Sequence, residues 1–302
     1  MRSAARSATR AEFRARVVAG FGRRSLVQDE RGHVWEATRR GRKGDVVVGD
    51  QVLVSESAGQ VSIEAIEPRT TLLFRADAFR SKALASDVDL AIIVFASRPQ
   101  PNRWFIWKAL VAASAAGIEA LVLRNKCDLE EGAAEADAML RQIAELGWRT
   151  LAVSAKAQPE TTRSALMRLI SGRNSLLVGQ SGMGKSTLLN LLVPDARART
   201  QEYSERLNLG RQTTTATRWF PLPEGGAVVD TPGFREFGLA HLGPTEIAAT
   251  FPEFRPLLGK CRFLDCRHLA EPGCAIREAL EAGRVAADRY DFFRSCTSGT
   301  VR

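Results

Sequence analysis

No apolar run in this chain approaches the roughly 18 residues that a membrane-spanning helix needs; the best are short stretches such as residues 90–96. A membrane-spanning role is therefore not expected. No internal repeat or low-complexity block appears beyond the N-terminal tail. A secretory apolar segment is also missing. The five cysteines are Cys127, Cys261, Cys266, Cys274 and Cys296. An odd number, three of them clustered beside His268, argues for a reducing compartment and a bound metal rather than a disulfide framework.

Acid is scarce at the start of the chain. Residues 1–43 carry twelve Lys and Arg against four Asp and Glu, while the remainder carries 31 against 30, so the net charge of +9 is an N-terminal feature. Such a segment suits a phosphate-rich partner, and RNA is the natural reading. A solvated tail and a targeting peptide are the alternatives, the latter because residues 1–11 are rich in Arg, Ser and Ala with no acid.

At 302 residues the chain has room for two or three domains. After a basic tail (1–13), five β-rich segments at 15–19, 25–28, 34–37, 52–55 and 61–66 predict a small barrel over 14–68, with the oligonucleotide-binding fold as the common five-stranded solution. A connector is expected over 69–86. Apolar strands at 90–95, 120–123, 150–153, 175–178 and 227–229 then alternate with helices at 103–116, 135–146 and 185–192. That pattern predicts βαβ units around a parallel sheet over 87–240. Trp104, Trp107 and Val111 recur at helical spacing and read as packing. Residues 241–302 read as helical and carry a Cys/His knot.

The stretch "GQSGMGKS" has the spacing of a phosphate-binding loop and the strand–loop–helix context that the motif requires. Gly179, Gln180, Ser181, Gly182, Met183 and Gly184 would aim backbone N–H groups at phosphate oxygens. Lys185 is expected to reach the β- and γ-phosphates, Ser186 to ligate Mg²⁺ and Thr187 to reach the α-phosphate. Downstream, Asp230 ends a buried strand in "DTPG", where its carboxylate would hold Mg²⁺ through water and the Gly233 N–H would sense the γ-phosphate.

Upstream lies Asn125-Lys126-Cys127-Asp128, followed one strand later by Ser154-Ala155-Lys156. These segments resemble the guanine-reading loops of GTPases. In that resemblance Asp128 accepts two hydrogen bonds from guanine, Lys126 lays its stem along the base, Asn125 braces the loop and the Ala155 N–H meets the guanine oxygen. Adenine cannot supply the pair of donors, leaving the carboxylate unsatisfied at about 1–3 kcal/mol. The base loops precede the phosphate loop, whereas ordinary GTPases place them after it. The order is a circular permutation, tolerable because a parallel-sheet site depends on where loops sit rather than on which comes first.

Cys261, Cys266, His268 and Cys274 supply three thiolates and an imidazole within 14 residues, a set suited to one structural Zn²⁺ with no open position. His33 and His241 read as ordinary surface or packing histidines. Permuted GTPase, small barrel and metal knot together resemble the ribosome small-subunit-dependent GTPase family, RsgA or YjeQ, over about residues 14–289. The resemblance implies GTP hydrolysis stimulated by the small ribosomal subunit late in its maturation. It further implies contact with ribosomal RNA, in the bacterial cytoplasm, by a monomer that cycles between GTP and GDP with Mg²⁺.

The segment "GRQTTTAT" is where that family's γ-phosphate-sensing threonine is expected, with Thr214 and Thr215 both candidates. The family usually carries histidine where this chain has Gln212, and Phe234 stands where many GTPases place a water-orienting glutamine. Gln212 is therefore the expected water-positioning residue. A GTP-gated RNA-binding module with negligible hydrolysis is the alternative function.

Overall fold

The structure is a computed structural model that describes residues 11–21, 24–39, 46–76, 81–206, 216–232 and 236–297. Five strands open the chain: β1 (Ala11–Phe21), β2 (Arg24–Asp29), β3 (Val34–Arg39), β4 (Gln51–Ser57) and β5 (Gln60–Ile66). β1 pairs with β2, β2 with β3, β3 in parallel with β5, β5 with β4, and β4 returns to β1, so the sheet closes into the expected barrel. Closure removes the exposed edges that an open five-stranded sheet would present. The length of β1 makes it possible. Its first half pairs with β4 and its second with β2, with an irregularity between Val17 and Ala19 where the strand must bend.

The segment expected as a connector carries a hairpin, β6 (Leu72–Ala76) and β7 (Ser81–Ser86). It is tied to the barrel through Asp50, a fully buried carboxylate. Asp50 accepts from Arg69 Nε (2.7 Å), Arg69 Nη2 (2.9 Å), Ser86 Oγ (2.6 Å) and the Val47 N–H (2.9 Å). A buried charge survives only when so fully paired.

Next comes a parallel sheet of β8 (Leu90–Phe95), β9 (Glu119–Arg124), β10 (Arg149–Ala152), β11 (Arg173–Gly179) and β13 (Gly226–Asp230), with β12 (Arg218–Pro221) antiparallel at its border. Every residue of β8 is buried, as a strand covered on both faces requires. The spatial order is β10-β9-β8-β11-β13-β12, and β12 meets β1 of the barrel through Ala19 and Arg218. Helices α1 (Arg103–Ala115), α2 (Ala133–Glu145), α3 (Pro159–Ile170), α4 (Lys185–Leu192) and α5 (Ala196–Arg206) connect the strands.

The C-terminal region, with α6 (Pro244–Ala249), α7 (Ala275–Glu281) and α8 (Ala287–Thr297), packs on α1 through aromatic rings. Phe251, Phe254, Phe292 and Phe293 are fully buried together, and Trp107 of α1 meets Phe292 at 5.5 Å between ring centroids. Burying each such ring contributes about 2–3 kcal/mol. The Arg289 guanidinium, paired with Glu253, lies over both Trp107 and Phe251. Trp107 is thus packing, as its spacing suggests, while Trp104 is 42% exposed with its edge toward Phe292. Among the described residues no helix is long and apolar enough to cross a membrane.

Candidate functional site

Five parallel strands must place their C-terminal ends on one edge, and the register does so within about two residues. Phe95 of β8 lies beside Arg124 of β9, which lies beside Ala152 of β10. Val94 lies beside Gly179 of β11, and Leu177 beside Asp230 of β13. The segments "NKCD", "SAK" and "GQSGMGKS" and residues 230–232 therefore all leave the sheet from the same edge.

Asn125 joins three of them. Its buried side chain donates Nδ2 to the Met183 carbonyl (3.1 Å) and accepts the Ala155 N–H at Oδ1 (3.1 Å), while its own N–H donates to the Phe95 carbonyl (2.7 Å). That engagement alters one expectation. The Ala155 N–H already has a partner, so a guanine oxygen would have to share it. Lys126, at a left-handed φ of 60°, sends Nζ to the Arg98 carbonyl (3.0 Å). Asp128 is exposed and accepts a short hydrogen bond from Ser154 Oγ; that bond and its own backbone N–H hold the carboxyl below its ordinary range. Lys156 is exposed and contributes a favourable charge toward Asp128.

The phosphate loop turns tightly beneath this bridge. Gly184, the N-cap of α4, has φ 92°, and a Cβ there would sit 2.3 Å from Asn125 Nδ2; one at Gly179 would sit 2.4 Å from the Val94 carbonyl oxygen. Only glycine lets the loop pass so close. Met183 is buried, whereas Ser181, Gly182, Ser186 and Thr187 face outward at the start of α4. Lys185 Nζ donates to the Gln180 carbonyl (2.8 Å), which folds the side chain back over the loop. Gln180 Oε1 in turn accepts the Asn102 N–H (2.7 Å).

Asp230 ends β13 in a mostly buried position. Burial pushes its carboxyl above the ordinary range, and Lys185 and Arg218 pull it back. Burial lowers Lys185 in the same way, opposed by Asp230. Arg218 stands directly opposite Asp230 in the β12–β13 register. No motif pointed to Arg218, because only strand pairing brings it beside the carboxylate. Gln212, Thr214, Thr215, Gly233 and Phe234 lie outside the described residues.

In the C-terminal region the donor atoms of Cys261, Cys266, His268 and Cys274 all lie within 4.8 Å of one another. His268 Nδ1 is 3.5 Å from Cys261 Sγ and 3.6 Å from Cys274 Sγ. Tetrahedral zinc with legs of about 2.3 Å to sulfur and 2.05 Å to nitrogen gives an S···N edge of about 3.6 Å, so the four residues fit that ion. Burial and the neighbouring thiols push Cys266 up to about 12, a cost that a bound dication would relieve. Around the knot, Glu271 accepts the N–H groups of Arg267 (3.0 Å), Leu269 (2.9 Å) and Ala270 (3.0 Å), and Tyr290 Oη donates to the His268 carbonyl (2.7 Å). His268 needs that support because it holds φ 63°.

The family model for RsgA GTPase matches residues 66–240. The small ribosomal subunit biogenesis GTPase RsgA of Burkholderia pseudomallei is 46% identical over 292 residues, covering 96% of this chain and 92% of the relative. Its namesake from Paraburkholderia phytofirmans is 45% identical over 284 residues, covering 92% and 90%. The crystal structure of YjeQ from Thermotoga maritima aligns with a TM-score of 0.72 at 28% identity over 96% of this chain and 99% of that one. YloQ, a circularly permuted GTPase, aligns with a TM-score of 0.68 at 23% identity over 99% and 98%, a likeness of fold. With family model, relatives and strand order in agreement, the chain belongs to the RsgA GTPase family.

Proposed function

We propose that this protein hydrolyses GTP to GDP and phosphate in the service of small ribosomal subunit biogenesis, the role that the names of its relatives state. One observation carries the reading at the level of chemistry. Asn125 hydrogen-bonds across from the base loop to both the phosphate loop and the Ala155 loop, so a single nucleotide would span Asp128 and Lys185.

In this reading the Asp128 carboxylate accepts guanine's ring N–H and amino group, and Lys126 covers the base. Gly179 to Gly184 cradle the phosphates with backbone N–H groups, Lys185 neutralises the β- and γ-oxygens, and Thr187 reaches the α-phosphate. Ser186 and Asp230 would hold Mg²⁺, joined in the triphosphate state by Thr214 or Thr215. The ion supplies charge neutralisation on the phosphates. Gly233 senses the γ-phosphate, and Gln212 positions the attacking water, a role that the bound subunit strengthens. Cys261, Cys266, His268 and Cys274 hold one structural Zn²⁺, which fixes a region whose helices are few and short. The basic N-terminal segment and the barrel face ribosomal RNA. The protein works as a monomer in the cytoplasm.

GTP turnover measured with and without purified small subunits is the test. Stimulated turnover with a Gln212→Ala variant unchanged would remove the role given to Gln212. Nucleotide-gated sedimentation with subunits but no turnover would instead favour a GTP-gated RNA-binding module, for which Phe234 and the absent histidine are the sequence argument.

A further inference from the structure

We propose that residues 97–102, the loop leaving β8, form a clamp that sets how long a nucleotide stays bound. The proposal rests on the guanine-nucleotide reading of the site. None of the motifs that define that site includes this loop, yet it touches both halves of it. The Arg98 carbonyl accepts Lys126 Nζ (3.0 Å), which fixes the end of the lysine side chain. Arg98 Nε pairs with Glu131 (2.8 Å), beyond the base loop. On the phosphate side, the Asn102 N–H donates to Gln180 Oε1 (2.7 Å). The Pro99 ring lies so close to Gly182 that a Cβ there would come within 3.0 Å of its Cδ and Cγ.

The clamp is anchored from behind. Asn102 Oδ1 accepts the N–H groups of Trp104 (2.9 Å) and Phe105 (3.3 Å), fixing the start of α1 and so the direction of its own N–H. α1 is in turn buried along residues 105–113. A rigid helix therefore holds one side of the phosphate loop, and the base-covering lysine shares the same short segment. Asn102 and Pro99 are positioning residues; neither is a catalytic residue. A nucleotide leaving the site must pass a loop whose glycine turn is backed by proline and whose Gln180 is pinned. Loosening the segment raises the exit rate without changing which base is recognised, because Asp128 is held separately by Ser154.

The test is stopped-flow release of N-methylanthraniloyl-GDP from the full chain, with N-methylanthraniloyl-ADP as the base control. Asn102→Ala is expected to raise the GDP dissociation rate between about two-fold and ten-fold, the range that one lost hydrogen bond spans, and Pro99→Gly, which removes the ring behind Gly182, is expected to raise it at least about two-fold. Association rate and guanine-over-adenine preference stay as in the parent. Asn102→Asp keeps the cap acceptor and restores slow release, which general loosening of the fold would not do. Unchanged release from both Asn102→Ala and Pro99→Gly, with GDP still bound, overturns the clamp alone. Failure of the parent chain to bind the GDP probe overturns the nucleotide reading and the clamp with it.

Discussion

Asn125 Nδ2 reaches the Met183 carbonyl at 3.1 Å, across 58 residues of chain. The contact joins a base-reading loop to a phosphate loop that follows it in sequence, and it lies under Gly184, where no side chain fits. Replacing Asn125 with alanine leaves the Met183 carbonyl and the Ala155 N–H without their partner. The expected loss is about 1–3 kcal/mol of nucleotide binding, or roughly five-fold to 150-fold in affinity. Titration calorimetry with GDP checks it, and an affinity within two-fold of the parent would show that the bridge is incidental.

In the proposed site, acid is expected to weaken guanine binding through Asp128. Its carboxyl is held low by the Ser154 hydroxyl and its own backbone N–H, so the charged form persists below the ordinary carboxylate range and is lost only as pH falls further. Ser154→Ala removes the larger of those causes. The acid limb of GDP affinity against pH is expected to move to higher pH in this variant, with little change at pH 7. An unmoved limb would assign the acid loss to another group.

Asp230 is expected to cost stability in its ionised form. Burial raises its carboxyl, so the group destabilises the fold most when ionised: its contribution is best below the ordinary carboxylate value and worsens as pH rises through the elevated one. Asp230→Asn is expected to raise the melting temperature of the nucleotide-free chain by a few degrees at pH 7 while weakening Mg²⁺-dependent GTP binding at least ten-fold. A calorimetric scan together with binding at varied Mg²⁺ tests both halves, and a lowered melting temperature would contradict the first.

The Cys/His cluster is expected to have its own acid signature. Desolvation works to raise Glu271, but the backbone N–H groups of Glu271 itself, Arg267, Ala270 and Leu269 outweigh it and bring the carboxyl down to about 2. Its stabilising contribution is therefore complete above the ordinary glutamate value and disappears as pH falls toward about 2. Glu271→Gln is expected to melt lower than the parent at pH 7 and to converge with it near pH 2. A constant gap between the two melting curves across that range would exclude ionisation as the cause.

Chelation supplies an independent check of the ligand set. Elemental analysis is expected to find one zinc per chain, lost in Cys266→Ser, and removing it lowers the melting temperature because structural metal binding is folding free energy. Full retention of stability after zinc removal would make the knot dispensable.

Much of this molecule was legible in its residues. The phosphate loop, the two base loops and the Cys/His knot each lie within a short window of sequence, so spacing together with resemblance to GTPases was enough to propose their chemistry. Alternating apolar and amphipathic segments likewise announced a parallel sheet, because burial on both faces demands continuous apolar strands such as β8. Other features left no local trace. The closure of β1 on β4, the meeting of Ala19 with Arg218, Arg218 beside Asp230, and the Asn102–Gln180 bond all join segments far apart along the chain. Such pairings are chosen by the burial of whole faces and the satisfaction of backbone groups together, which no short window of sequence contains. Local sequence carried the chemistry proposed for each loop; the common direction of five strands decided that the loops meet.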